Sequence, residues 1–307
     1  ENQREELFNI INTKNFNKCG IWLNQYGYNL LNNIYHLIQS GEMSKEFITK
    51  FNHIDKDIYG HFTPLNIRHI IDKKLKYKHI YNIQYEDIKI NLTIYNQNKT
   101  INKNKLEYLL RRMILMHKIS DKKIPINLTL LFVNVNKQIN KNSIKILGPK
   151  EINSGFTSFS EPKVVIFRNE EMSKLIIHEL IHYFRIDFGH LTYNIDNIVN
   201  INPDIEIRIN ESYTEILACI INSIIASYDI YNYKNIKYCR NLICNEIKYN
   251  LFNVAKILDY YEFKNTNNLF CKHYDNRFQQ NTSVFSYFIV KTALLFSLEE
   301  FFKFLNN

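Results

Sequence analysis

Apolar residues recur at spacings of three and four in two early segments, "YNLLNNIYHLIQSG" (28–41) and "NKLEYLLRRMILMHKI" (104–119), and this predicts amphipathic helices. Between them, "EDIKINLTIYN" (86–96) alternates apolar with polar positions, the period of a half-buried strand. "PINLTLLFVNV" (125–135) and "KVVIFR" (163–168) are short, β-branched and apolar, which suits a sheet. "INSGFTSFS" (152–160) lies between them as an expected edge strand, and from about residue 172 the pattern is helical again. The expected fold class is therefore α+β: mainly helical, with a small mixed sheet packed against the helix that carries the motif described below. Two regions are expected, an N-terminal helical region over 1–120 and a second region over 121–307.

Composition narrows the classes. With 307 residues and 45% hydrophobic content, the chain is long enough for one large core or two modest ones, which excludes a disulfide-stapled miniprotein and a disordered tail. The five cysteines (Cys19, Cys219, Cys239, Cys244 and Cys271) contain no Cys-x-x-Cys pair, so a reducing compartment, cytoplasm or virion, is expected. The chain starts at Glu1, and a piece preceding it is expected to be missing. "ILACIINSII" is too short to span a bilayer and "YFIVKTALLF" is broken by Lys291, so no membrane span is expected. The net charge of +9 arises from scattered lysines with denser runs at 72–79 and 103–112. Those runs are read as solvated surface, and nucleic acid is not the expected partner.

The chemistry concentrates in "KLIIHELIHYFRIDFGH" (174–190), which contains His178-Glu179-Leu180-Ile181-His182. Ser173 is placed to cap a helix that runs through Leu175, Ile176, Leu180, Ile181, Tyr183 and Phe184 to Phe188, with Gly189 as its stop. At a spacing of four, His178 and His182 share one face and both imidazoles reach one tetrahedral zinc. Glu179 projects beside them, placed to act as general base toward a zinc-activated water. A third ligand is needed. His190 is eight residues past His182, and Phe188 occupies the place six residues on. Asp187 falls within the expected helix and reads as a helix-end or surface carboxylate. Downstream, "NESYTEILACIINSII" sets Glu211 and Glu215 four apart on a strongly apolar helix, and buried carboxylates need partners. A zinc ion for Glu211 and the free ring nitrogen of a zinc-bound histidine for Glu215 satisfy both.

A His-Glu-x-x-His helix followed by a second helix bearing Asn-Glu-x-x-x-Glu resembles the gluzincin, thermolysin-like zinc metallopeptidases. The resemblance covers about residues 163–220. It implies His178, His182 and Glu211 as ligands of one Zn2+ per chain, Glu179 as the base and later proton donor, Glu215 as the acid behind the ligands, and a peptide or protein substrate. Two features depart from the family: Glu replaces the commoner Asp at 215, and 28 residues separate His182 from Glu211. Thermolysin-like enzymes take an oxyanion donor from further along the chain. The candidates here are Tyr287, His273 and Arg277, with Tyr287 preferred, on an expected helix over 277–295. The segment 152–160 is a candidate to bind substrate backbone by strand addition. The competing expectation is a catalytically inactive protein of peptidase fold that acts as a binding or structural component of a virion.

Overall fold

A computed structural model describes residues 50–51, 58–60, 63–120, 122–139, 146–187, 205–231, 236–269 and 277–305. The first predicted helix, 28–41, lies outside the described residues, as do His190 and His273. The chain divides into two compact units, one formed by Ile34–Gln138 and Pro149–Gly189, the other by Glu1–Asn33, Ile139–Gly148 and His190–Asn307. Residue 120, where a boundary was expected, ends a helix inside the first of these.

That first unit is built on a six-stranded mixed sheet in the order β1-β2-β3-β4-β6-β5. Its strands are β1 (Lys50–Phe51), β2 (Tyr77–Tyr85), β3 (Ile88–Asn96), β4 (Ile126–Leu131), β5 (Gly155–Ser158) and β6 (Lys163–Ile166). The alternation read at 86–96 is that of β3, whose Ile88, Ile90, Leu92 and Ile94 are buried. The sequence reading did not include β2. Its antiparallel pairing with β3 turns at Glu86, which takes a left-handed φ of 51°. Helix α2 (Lys103–Ser120) carries the chain from β3 to β4, which lies parallel to β3, and β6 lies parallel to β4. β5 pairs antiparallel with β6 at the edge, as the reading of 152–160 expected.

The sheet presents two apolar faces, because successive side chains point to opposite sides. On one, Tyr95, Leu131, Phe156 and Val165 form a core with Ile67 and Ile71 of α1 (Leu65–Lys74). Phe156 sits so close to Gly60 that a Cβ there would lie 2.7 Å from ring carbons, so the backbone itself forms part of the packing surface. On the other face, Gly155 and Thr157 of β5 lie across from Ile166 and Val164 of β6. Helix α4 (Met172–Tyr183) packs against both strands and against α2, after the short α3 (Pro149–Ile152). The expected fold class, a small mixed sheet packed against the motif helix, is what the chain forms.

The second unit is helical. Helix α5 (Ile209–Tyr231) packs against α6 (Ile236–Tyr260), against a π-helical turn (Phe285–Val290) and against α7 (Lys291–Phe296), with α8 (Leu298–Leu305) following. The helix expected over 277–295 starts only at 284, and the π turn occupies its first part. Asn250 of α6 donates to the Phe288 carbonyl of that turn at 3.1 Å, and Ser212 of α5 donates to the Ser286 carbonyl at 2.8 Å. Both bonds bring side-chain donors to the carbonyls of a widened turn. Among the described residues, no helix is long and apolar enough to cross a membrane.

Two outcomes test this packing. Gly60→Ala is expected to destabilise by about 1–3 kcal/mol through overpacking, read as a lower urea midpoint at unchanged m-value, with most of the loss recovered in a Phe156→Leu background. His117 of α2 is buried edge-on against Phe184, and burial pushes its imidazole below the ordinary value, partly opposed by a backbone hydrogen bond and the charge of Asp87. The unfolded chain therefore takes up this proton first. Stability from the neutral ring is full above the unfolded pKa of about 6.5 and is lost as pH falls through the folded value. His117→Phe is expected to flatten that part of the stability-versus-pH curve.

Candidate metal centre and active site

The central helix of the site, α4, stops earlier than its apolar pattern suggests. Arg185, not Gly189, is the stop: it takes a left-handed φ of 53°. Its N–H donates to the His182 carbonyl at 2.9 Å, and the Ile186 N–H donates to the Ile181 carbonyl at 2.9 Å. These two bonds form a Schellman turn, here made with an arginine in the place usually given to glycine. The start differs as well. Helix α4 begins at Met172 and its cap position is Glu171, with φ 57° and no side-chain cap, so Ser173 lies inside the helix.

Because the chain turns at Arg185, Asp187 leaves the helix and folds back. Its Oδ2 lies 2.7 Å from His182 Nδ1, and the residue is 6% exposed. Of the two alternatives read for Asp187, helix-end or surface carboxylate, its burial just past the end of α4 rules out the second. With Nδ1 hydrogen-bonded to Asp187, Nε2 is the nitrogen of His182 that could hold a metal. It points at His178 Nε2, 3.2 Å away, and the two rings stand edge to face at 4.8 Å. Two nitrogens held at about 2.0–2.1 Å from one tetrahedral ion lie about 3.3 Å apart, so the 3.2 Å spacing is compatible with two ligands of a shared metal.

Glu179, on the same helix, is 5% exposed. The Thr157 hydroxyl donates to its Oε2 at 2.7 Å and also lies 2.9 Å from its backbone carbonyl. A Cβ at residue 155 would come within 3.3 Å of Glu179 Oε1 and 3.0 Å of the Val165 carbonyl, so glycine at that position leaves room for the carboxylate. The segment 152–160 was singled out in the sequence as a candidate for substrate binding, and in the structure it holds this carboxylate. Thr157 itself carried no sequence signal.

In the helical unit, Glu211 and Glu215 share α5 as expected. Glu215 is buried and accepts a 2.9 Å ion pair from buried Lys291 of α7. The orienting acid expected of Glu215 is, for the His182 ring, supplied by Asp187. Arg208, one residue before α5, bonds Glu206 at 2.8 Å. That bond, with the negative charges of Glu206 and Glu211 adding to it against burial, holds its guanidinium above the ordinary value. Tyr287 lies in the π turn, half-buried. Arg277 donates to the Glu262 carbonyl at 2.7 Å and lies over the Phe263 ring, a packing role. Within the sheet unit, His178 and His182 bring two imidazoles to one point, a donor pair that suits a borderline divalent cation, and Glu211, on α5 of the helical unit, is the carboxylate that the sequence reading adds to them.

The chain is similar to an uncharacterized protein, R210, of Acanthamoeba polyphaga mimivirus, with 29% identity over 159 residues, 48% of this chain and 39% of that protein. The match thus spans well under half of that relative's length. No family profile and no solved structure matches the chain.

Asp187→Asn keeps the shape of the side chain but removes the charge that orients His182. Metal affinity is expected to fall roughly 10–100-fold, measured by competition with a chromophoric chelator. An affinity equal to wild type would remove Asp187 from the site.

Proposed function

We propose that this chain is a zinc-dependent metallopeptidase, with His178, His182 and Glu211 holding the ion, Glu179 as general base and Tyr287 as oxyanion donor. The observation that carries the reading is the 3.2 Å approach of two buried imidazole Nε2 atoms, one of them oriented by a buried aspartate, next to a buried glutamate. An apolar core gains nothing from burying these four groups together, and metal-assisted hydrolysis uses each of them. Zinc, when bound, supplies Lewis acidity that polarises the scissile carbonyl and acidifies water.

The side chains of the protein supply the remaining steps. Glu179, fixed by Thr157, takes a proton from the attacking water as the new C–O bond forms, then delivers it to the amide nitrogen as the C–N bond breaks. His182, held by Asp187, keeps one tautomer throughout. The Tyr287 hydroxyl donates to the oxygen that gains charge at the tetrahedral carbon. β5, the last strand of the sheet among the described residues, offers its backbone for an extended peptide to pair with.

Elemental analysis of wild type beside Glu211→Ala and Glu179→Gln tests the reading. About one zinc per chain is expected in wild type, a lowered content in Glu211→Ala and full content in Glu179→Gln. Hydrolysis of a mixed peptide library should be abolished in both variants. Zinc-free wild type after reconstitution would overturn the proposal, and loaded wild type that cleaves no peptide would leave a metal-binding protein without peptidase chemistry.

A further inference from the structure

Away from the histidines, the sheet unit contains a cavity of about 550 Å3. It lies where the parallel strands β3, β4 and β6 end: Asn96 is the last residue of β3, Phe132 follows β4, and Asn169 stands three residues past β6. The fourth wall is the start of α2, the helix that leads from β3 to β4. In sheets with parallel strands, ligands bind outside the carboxyl ends of those strands, where a following helix begins.

The charge of this cavity is one-sided. Lys103 and Lys105 line it, and among the described residues no aspartate or glutamate does. Lys105 is turned inward: its Nζ donates to Asn169 Oδ1 at 2.7 Å and lies 4.1 Å from the centre of the Phe132 ring. Asn169 is held in turn, donating to Asn134 Oδ1 at 2.8 Å. The amine therefore has an amide oxygen and an aromatic face as neighbours, and among the described residues no carboxylate forms an ion pair with it. Its half-burial pushes it below the ordinary lysine value, which is the cost of keeping a cation there without a counter-charge. Asn102 caps α2 by accepting from the Lys105 N–H at 3.2 Å, so the positive end of an 18-residue helix dipole adds to the same field.

We propose that this cavity binds a phosphomonoester, its phosphate seated by Lys105 and Lys103 and its organic part filling the remaining space. The two negative charges of a phosphomonoester balance two ammonium groups, where a single carboxylate balances one. The volume falls in the range of small-molecule sites, about 300–1,000 Å3, far more than a bare phosphate occupies. The proposal is independent of the metal and of peptide hydrolysis.

The test is titration calorimetry of the full chain with AMP, ribose 5-phosphate and inorganic phosphate, with adenosine and ribose as uncharged controls, all at matched ionic strength. Saturable binding of at least one ester is expected, no binding of the controls, and at least about tenfold weaker binding in Lys105→Met. Ester binding that Lys105→Met leaves unchanged overturns the proposal, as does the absence of saturable binding by either ester. Saturation by inorganic phosphate with neither ester bound overturns it too, reducing the cavity to a simple anion seat. Should Lys105→Met fail to fold, acetylation of wild type by acetic anhydride gives the second readout. Slower labelling of Lys105 in the presence of the bound ester supports the site, and an unchanged labelling rate overturns it.

Discussion

The contact between His182 and Asp187 depends on one backbone event. Without the left-handed residue at Arg185, α4 would continue along its apolar stripe and take Asp187 around the helix, away from the ring it orients. A Schellman turn made by a non-glycine residue costs on the order of 1 kcal/mol in local strain. It is retained by the two backbone bonds that close it and by the buried carboxylate–imidazole contact that follows. The tautomer of His182, the direction of its Nε2 and the meeting of the two rings all depend on this turn.

Periodicity made most of the sheet unit legible. The strand β3, the helix α2 and the edge position of β5 follow from apolar spacing, because burial of one face leaves a regular trace in the residues. β2 left a weaker trace: its Tyr77, Lys78 and Tyr81 are only partly buried, and its lysine-rich start reads as solvated surface. The histidine pair and Glu179 were legible because a spacing of four on a helix fixes geometry by itself. Asp187 was not, since the stop at Arg185 has no glycine to announce it. Thr157 was hidden for another reason: its partner is 22 residues away, and a long-range contact has no local spacing.

Glu215 shows how chemistry on one helix face can be shared between tasks. This buried carboxylate was expected to accept from the ring nitrogen of a zinc-bound histidine, and in the structure it pairs with the Lys291 ammonium. Both groups are nearly dry, so the pair gives only modest net stability while making either partner costly to leave alone. The bond joins α5 to the first residue of α7, just past the π turn that carries Tyr287. The widened turn and the ion pair thus hold one short stretch of chain against the helix that bears Glu211.

The edge of the sheet carries a different consequence. β5 has four residues, and an unpaired strand edge is a template on which other chains can polymerise. A run this short offers few backbone hydrogen bonds to a misfolded neighbour, and the exposed Phe159 that follows it stands beside the charged Arg185, a poor seed for stacking. The same brevity leaves any extended guest weakly held by backbone alone, so what the edge admits must be decided by side-chain contacts on either side of it. In this strand, protection from aggregation and, on the proposed reading, a weak hold on a peptide backbone both follow from its length.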